Sequence, residues 1–198
     1  MIELLAVREG TDFDVRAERK VVLARRLFDT LALTETPQGV LAVGRAEPRP
    51  IGETIRTAKE AGWPLVVLDG IQDPGNVGAI ARTAAAAGAP ALAVLPGSAD
   101  PFGPKALRGS AGHLFKLSVA RATWRDLDGL RLLGTAARGL AYTGADLDVD
   151  ALVLGSEAHG LSRPMPLVAV PMANGVESLN VGAAAAVLLF EIARRKGG

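Results

Sequence analysis

The 198-residue sequence contains no cysteine, only two histidines, and aromatic residues at 4% of its positions. The absence of cysteine excludes disulfide bonds, thiolate metal sites and cysteine nucleophiles. Because no His/Cys cluster is present either, we expect no metal site. Hydrophobic residues make up 49% of the chain and are mostly Ala, Val and Leu, so we expect a closely packed core of small side chains.

Long apolar runs and a strong net charge are also missing. No stretch reaches the ~18 consecutive apolar residues that a membrane span needs, and no charged-then-apolar secretory leader begins at Met1. We therefore expect a cytoplasmic protein with no membrane partner. The 22 Lys and Arg residues nearly balance 21 Asp and Glu residues, for a formal net charge of +1, so any contact with nucleic acid must come from local basic patches.

Short apolar runs alternate with helical patterns from Pro64 onwards. The apolar runs are PLVVLDG, ALAVLPG, FKLSV, RLLGTA, ALVLGS and LVAVPM. The helical patterns are NVGAIARTAAAAGA, PFGPKALRGSAG, TWRDLDGL and VGAAAAVLLFEIARRK. This alternation predicts an α/β fold in which a mostly parallel sheet carries helices on both faces.

The first 60 residues are predicted to be a small α/β segment with a linker, and residues 61–198 a second domain. The strands IELLAV and GVLAVGRA flank a basic amphipathic segment, VRAERKVVLARRLFDTLAL. The stretch EPRPIGETIRTAKEAGWP follows, in which three prolines and two glycines surround a short helical pattern. Such a stretch is typical of a linker or of the edge of a small domain.

Two polar loops follow predicted strands. In DGIQDPGNVGAIART, Asn76 is suited to cap the following helix, and Gly78 is expected to leave room for the guanidinium of Arg82. In LVLGSEAHGLS, Gly155 is expected to expose its backbone to a ligand, and Glu157 to orient a cation, a hydroxyl or an arginine. Because the carboxyl ends of parallel strands meet at one edge, we expect these loops to lie close together.

The third polar stretch, PMANGVESLNVGAAAAVLLFE, leads into an apolar helix. Ser178 or Asn180 is predicted to cap that helix, next to its free N–H groups. A cap needs one side chain, yet Asn174 and Glu177 stand in the same short stretch. The surplus of hydrogen-bonding side chains favours a functional site.

Together, NVGAIARTA, LVLGSEAHGLS and VPMANGVESLNVGAAAAVLLFE resemble the motifs of the SpoU, or TrmH-type, branch of the SPOUT RNA methyltransferases, over about residues 64–195. The resemblance implies transfer of a methyl group from S-adenosylmethionine to a ribose 2′-hydroxyl of structured RNA. It further implies a homodimer and a C-terminal trefoil knot. Neither property follows from periodicity or spacing, and knots are rare.

The resemblance also implies roles for individual residues. The catalytic set is Asn76, Arg82, Glu157, Ser178 and Asn180. The cofactor-binding set is Thr135, Gly155, Val170, Met172 and Leu179. The RNA-binding set is Lys105, Arg108 and Ser110, from KALRGSAG, and Arg16, Arg19 and Lys20 from the N-terminal segment, for which a solvated helix face is the alternative.

Arg82 is expected to act by electrostatic positioning, because an ordinary guanidinium does not lose its proton near neutral pH. No general base is assigned. Two positions depart from the family pattern. Gly182 stands where a small polar residue is usual, and Ala158-His159 where a glycine is common.

The N-terminal segment, especially TETPQGVLAVGRAEP, resembles part of an L30e-like RNA-binding domain, which favours rRNA over tRNA as the substrate. The main alternative is an RNA-binding or assembly factor that keeps the fold without catalysis. A dinucleotide-dependent enzyme is disfavoured because the G-x-G-x-x-G spacing is missing.

Overall fold

The computed structural model of the chain describes residues 2–32 and 34–197. It divides into two compact units, with the division between Glu47 and Pro48. The sequence placed this boundary after residue 60. The difference concerns residues Ile51–Glu60, which form a helix that buries Thr54 and Ala58 and belongs to the second unit.

The N-terminal unit is a three-stranded sheet with one short helix. Its elements are β1 (Ile2–Arg8), β2 (Arg19–Leu23), α1 (Arg25–Leu31) and β3 (Val40–Gly44). The central strand β1 runs parallel to β2 and antiparallel to β3. The basic segment was predicted as one amphipathic stretch, but it is divided at Ala24 into a strand and a helix. The L30e-like assignment of this unit stays a prediction.

The second unit is built on six parallel strands. They are β4 (Leu65–Asp69), β5 (Ala91–Val94), β6 (Ser118–Arg121), β7 (Leu132–Ala141), β8 (Ala151–Gly155) and β9 (Leu167–Ala169). Their order in the sheet is β6-β5-β4-β8-β7-β9. The predicted parallel sheet is confirmed. The FKLSV run differs from the prediction, because a 3-10 turn at His113–Lys116 precedes β6.

Helices cover both faces of this sheet, as predicted. They are α2 (Ile51–Glu60), α3 (Pro74–Ala87), α4 (Pro104–Gly109) and α5 (Val181–Lys196). Alternate residues of each central strand point to opposite faces. Val66 and Leu68 join a core cluster with α3 and α5, whereas Leu65 and Val67 join a second cluster with α2.

A further 3-10 turn lies at Trp124–Leu127. Over the described residues, no helix is both long enough and apolar enough to cross a membrane. The trefoil knot stays a prediction.

Candidate active site

The side chain of Asn180 joins the N-terminus of α5 to two other loops. Its Oδ1 accepts hydrogen bonds from the backbone N–H groups of Gly182 at 2.9 Å and Ala183 at 3.3 Å. Its Nδ2 donates to Glu157 Oε1 at 2.6 Å and to Asn76 Oδ1 at 3.1 Å. Of the two caps that the sequence left open, Asn180 is therefore the one used, and both ends of its amide are occupied.

Glu157 is the acceptor at the centre of this cluster. Besides Asn180, its Oε1 accepts from the backbone N–H of Val181 at 3.1 Å and from Asn76 Nδ2 at 3.4 Å. The carboxylate thus lies at the N-terminus of α5, where free N–H groups and the helix dipole favour negative charge. Residues 156–160 form a tight loop, since Ser156 and Gly160 exchange backbone hydrogen bonds of 3.0 and 2.8 Å.

Asn76 enters the cluster because it does not cap its own helix. The sequence predicted Asn76 as the cap of α3, but Asp73 fills that position and accepts from the N–H of Gly75 at 3.1 Å. Pro74 then occupies the first helical position, where its missing N–H and fixed φ are tolerated. The side chain of Asn76 is left free to reach Asn180 and Glu157.

Asp73 also pairs with Lys105, whose Nζ lies 2.7 Å from Asp73 Oδ1. This hydrogen bond is the main reason that the pKa of the Asp73 carboxyl lies below its ordinary value, and the hydrogen bond from the backbone N–H of Gly75 is the second. Lys105 is one of the predicted RNA-binding residues, and in this structure its charge is already partly compensated.

Gly78 has a different purpose from the one predicted. A Cβ built on Gly78 would lie 2.8 Å from the backbone nitrogen of Ser110, so α4 fills the space that was expected to serve Arg82. Gly109 faces it, since a Cβ there would lie 3.4 Å from the Cα of Gly78. Gly78 and Gly109 therefore permit the close packing of α3 on α4.

Arg82 is exposed on α3. The hydrogen bonds of the cluster join Asn76, Glu157 and Asn180 to one another, and among the described residues none of them reaches Arg82. Three of the five predicted catalytic residues are thus in mutual contact. Ser178 is exposed in the loop before α5 and lines the cavity described next.

A cavity of about 630 Å³ lies beside the middle of β7 and the carboxyl ends of β8 and β9, next to the start of α5. All five predicted cofactor-binding residues line it: Thr135, Gly155, Val170, Met172 and Leu179. Glu157 and Ser178 also line it, so the cavity and the polar cluster share a border. The cavity is where the edge rule for parallel sheets places a ligand.

Residues 160–165 form one wall of this cavity, although none of them was predicted as a site residue. Leu161, Arg163, Pro164 and Met165 line the cavity. The wall packs directly on β8, because a Cβ on Gly155 would lie 2.6 Å from the carbonyl carbon of Gly160.

The space beside Gly155 is therefore filled by the chain itself on this side. Gly155 still lines the cavity, and its contact with a ligand stays a prediction. Glycine inside a buried strand signals a close backbone approach. Gly134 and Gly155, each within a predicted strand, carried that signal.

The predicted RNA-binding residues differ in their accessibility. Arg108 is exposed on α4, and Arg16, Arg19 and Lys20 are exposed in the N-terminal unit. The structure corrects the prediction that Ser110 binds RNA. Ser110 is fully buried, and its hydroxyl donates to the carbonyl of Leu107 at 2.8 Å. The structure does not present Ser110 to RNA.

The two departures from the family pattern have different surroundings. A Cβ on Gly182 would lie 3.1 Å from Asn180 Oδ1, so a side chain there presses on the cap of α5. Ala158 and His159 are exposed in the loop between the paired Ser156 and Gly160. Within the part of the chain that the structure describes, no group of three or more His, Cys, Asp or Glu side chains is suited to a metal ion.

Two relatives are similar to the chain in sequence over most of its length. A relative from Bacillus subtilis, the 23S rRNA (guanosine(2553)-2′-O)-methyltransferase RlmP, is 33% identical over 86% of this chain and 71% of its own length. An uncharacterized tRNA/rRNA methyltransferase from Mycobacterium sp. (strain KMS) is 35% identical over 97% of this chain and 70% of its own length.

A solved structure resembles the whole chain. The SpoU methyltransferase AviRb from Streptomyces viridochromogenes, in complex with AdoMet, aligns with a TM-score of 0.84 and 28% identity over 100% of this chain and 84% of its own. Residues 63–190 match the SpoU rRNA Methylase family. This match spans all six strands of the parallel sheet and the three polar loops at its carboxyl edge. The chain therefore belongs to the SpoU rRNA methylase family.

Proposed function

We propose that the chain transfers the methyl group of S-adenosylmethionine to a ribose 2′-hydroxyl of structured RNA, with rRNA favoured over tRNA. The observation that carries the proposal is the Asn76–Glu157–Asn180 cluster, which borders a cavity of about 630 Å³. The name of the Bacillus relative, an rRNA 2′-O-methyltransferase, and the AdoMet bound to AviRb support the same reaction class.

The cavity fits S-adenosylmethionine in size and chemistry. Small-molecule sites commonly have volumes of roughly 300–1,000 Å³ and combine apolar walls with a few polar groups. Val170, Met172 and Leu179 supply apolar surface for an adenine ring, and the hydroxyls of Thr135 and Ser178 supply polar contacts. When bound, the cofactor supplies a methyl group that its sulfonium already makes electrophilic. No metal is needed for that chemistry.

Glu157 holds the substrate hydroxyl in the proposal. Its Oε1 accepts from three donors, the side chains of Asn76 and Asn180 and the backbone N–H of Val181. Its Oε2 accepts from no other described residue, so it is available to a ligand hydroxyl at the border of the cavity. Holding the hydroxyl in line with the methyl group supplies much of the rate enhancement that such a transfer needs.

Arg82 binds the phosphate of the target nucleotide in the proposal. A guanidinium stays charged at neutral pH and offers a planar set of donors that matches phosphate. Arg82 is exposed on the same helix as Asn76, which supports a position beside the ribose. Arg108, also exposed, contributes further phosphate contacts, and Lys105 does so by exchanging its contact with Asp73 for RNA.

A homodimer with a trefoil knot, located in the cytoplasm, completes the proposal. The loop before α5 and α5 itself expose large apolar side chains, with Val176 at 53% and Phe190 at 52% of their full accessibility. Apolar surface of this kind beside a site favours contact with a second copy of the chain. Arg16, Arg19 and Lys20 of the N-terminal unit are proposed to add sequence-independent phosphate contacts.

Two measurements test the proposal. Calorimetry with S-adenosylmethionine should detect one binding site in each chain, and with dinucleotides none. Mass-spectrometric mapping of 2′-O-methyl groups in RNA from cells with and without the gene should then show the loss of at least one rRNA methylation. Binding without any change in the RNA would instead favour an RNA-binding factor that has lost catalysis.

A further inference from the structure

Asp69 is a buried carboxylate that the chemistry described above does not use. It ends strand β4 and is 3% exposed. Both of its oxygens are directed at one residue: the N–H of Ser162 donates to Oδ2 at 2.6 Å and the hydroxyl of Ser162 to Oδ1 at 2.8 Å. A buried charge is costly unless it is hydrogen bonded, and this double contact satisfies both oxygens of the Asp69 carboxylate.

Ser162 holds a distinctive place in the cavity wall formed by residues 160–165. Leu161 and Arg163, its two neighbours, line the larger cavity, whereas Ser162 itself does not. Its side chain is turned to the other side of the wall, towards Asp69. Ser162 is thus the point at which the wall is fastened to the sheet.

A second contact strengthens this attachment. The indole Nε1 of Trp124 donates to the hydroxyl of Ser162 at 3.0 Å. The guanidinium of Arg163 lies over the ring of Trp124, 5.3 Å from its centroid, and also pairs with Asp128 at 3.5 Å. Trp124 and Asp128 therefore hold residues 162 and 163 from the side away from the larger cavity.

The wall needs such an attachment because there is space behind it. A smaller cavity of about 280 Å³ is lined by Asp69, Trp124 and Ser162, and it shares Ser156 and Gly160 with the larger one. The loop of residues 156–160 and the wall of residues 160–165 therefore separate the two cavities. Without the attachment, the wall can move towards the smaller cavity and change the shape of the larger one.

We propose that Asp69 is a positioning residue that acts through Ser162, holding residues 160–165 where they give the larger cavity its cofactor-binding shape. This inference rests on the proposed function, because it concerns the affinity for S-adenosylmethionine. Asp69 is not itself a catalytic or cofactor-contacting residue, since it does not line the larger cavity. Its effect is expected on cofactor binding, with little effect on the transfer step once the cofactor is bound.

The chemistry of the contact predicts an order among variants. In Asp69→Asn, one carboxylate oxygen becomes an NH₂ group, which cannot accept from Ser162. Ser162→Ala removes the hydroxyl but keeps the backbone bond to Oδ2, so its effect should be smaller. Ser162→Thr restores a hydroxyl and should restore binding.

The test measures the dissociation constant for S-adenosylmethionine by calorimetry. We expect an increase of about tenfold for Asp69→Asn, in line with the loss of a hydrogen bond to a charged group. Ser162→Ala should show a smaller increase, and Ser162→Thr a value near that of the wild type. In steady-state assays, KM for the cofactor should rise while kcat at saturating cofactor stays within about twofold.

Thr54→Val is the matched control. Thr54 is fully buried and shares a 2.9 Å hydrogen bond with Ser118, between α2 and β6, away from either cavity wall. Its loss should reduce thermal stability and leave cofactor affinity unchanged. A general loss of stability is thereby separated from a change in the wall.

Hydrogen exchange without cofactor provides a readout that is independent of catalysis. Amides of residues 160–163 and of Met165 should exchange faster in Asp69→Asn and in Ser162→Ala than in the wild type or in Thr54→Val. Unchanged exchange together with unchanged affinity in both variants would overturn the inference. If the wild type itself fails to bind S-adenosylmethionine, the proposed function is contradicted, and faster exchange in the two variants would still support the attachment of the wall.

Discussion

Asn180 and Glu157 lie 23 positions apart in the sequence and share a hydrogen bond of 2.6 Å from the amide to the carboxylate. The same Asn180 side chain caps helix α5 through its oxygen. One residue therefore stabilises the last helix and orients the carboxylate proposed to hold the substrate. Because the two tasks use different atoms, substitutions can separate them.

Asn180→Asp should keep the cap and disturb the site. Aspartate is as good a cap as asparagine, so helix α5 should keep its cap, and any loss of unfolding free energy should come from the new charge beside Glu157. The new oxygen would face Glu157 in place of a donor, and two adjacent carboxylates repel each other. We expect methyl transfer to fall at least tenfold, by a rough estimate from the loss of positioning.

The comparison needs thermal unfolding and initial rates measured on the same preparations. Asn180→Ser is the control, since it keeps a capping hydroxyl without adding charge. If Asn180→Asp transferred methyl groups at the wild-type rate, the contact between Asn180 and Glu157 would have no part in catalysis.

Arg82→Ala should abolish turnover while leaving cofactor binding nearly unchanged. Loss of a preorganised charged contact in an active site commonly costs about a hundredfold or more in rate. The larger cavity does not include Arg82 among its lining residues, so affinity for S-adenosylmethionine should stay the same.

Single-turnover rates and calorimetry on one protein sample give both values. Arg56→Ala is the matched control, because Arg56 is an exposed arginine on α2, paired only loosely with Glu60 at 3.9 Å. An Arg82→Ala protein with normal turnover would remove Arg82 from the site.

Glu191→Gln should change the response of stability to acid. The Glu191 carboxylate accepts from Arg194 and Arg195, and these bonds lower its pKa from 4.5 to about 2. Since the folded-state pKa lies below the unfolded one, the stabilisation is complete above about pH 4.5 and is lost as the pH falls towards about 2. Arg195 also donates to the carbonyls of Tyr142 and Ala145, both at 2.7 Å, so the pair helps to hold that segment on α5.

Urea unfolding between pH 6 and pH 2.5 measures the effect. The wild type should be more stable than Glu191→Gln at pH 6, and the gap should narrow below pH 4.5. Glu60→Gln, in an exposed pair on α2, should leave the curve unchanged. If the difference in unfolding free energy between wild type and Glu191→Gln stayed constant from pH 6 to pH 2.5, the ion pairs of Glu191 would not stabilise the fold.

Gly78→Ala and Gly182→Ala should differ in their effects on stability. A Cβ at Gly78 would clash with the carbonyl oxygen of Ala106 in α4, so the two helices must separate, at a cost of about 1–3 kcal/mol. At Gly182 the nearest atom is the Asn180 side chain at 3.1 Å. That contact can relax slightly, and alanine favours a helix, so we expect a change within about 1 kcal/mol. Denaturant midpoints measure both stabilities. Equal losses of stability in the two variants would contradict the different packing roles assigned to Gly78 and Gly182.

Much of the catalytic unit could be predicted from the apolar runs. Five-residue stretches such as LVVLD and ALVLG are buried on both faces, which only a covered parallel sheet permits. That topology brings the carboxyl ends of β4 and β8 to one edge. The meeting of Asn76, Glu157 and Asn180 follows from it, together with the resemblance to known motifs.

The parts that could not be predicted depend on packing between elements distant in sequence. The role of Gly78 depends on its packing against α4. The position of the wall at residues 160–165 depends on Asp69, which lies at the end of β4. The helix at Ile51–Glu60 looked like a linker because Pro48 and Pro50 precede it, yet it buries one face against the sheet. The cap at Asp73 was available in the sequence, since Asp followed by Pro at the first helical position is a recognised start signal.

The most direct test of the account is transfer of a labelled methyl group by the purified protein. Wild-type protein is incubated with methyl-labelled S-adenosylmethionine and rRNA or tRNA, and the RNA is digested to nucleosides for mass spectrometry. The account predicts label in a 2′-O-methylated nucleoside from rRNA, and none with Glu157→Gln, which keeps an acceptor oxygen but loses the charge. Label on a base, or equal labelling by Glu157→Gln, would contradict it.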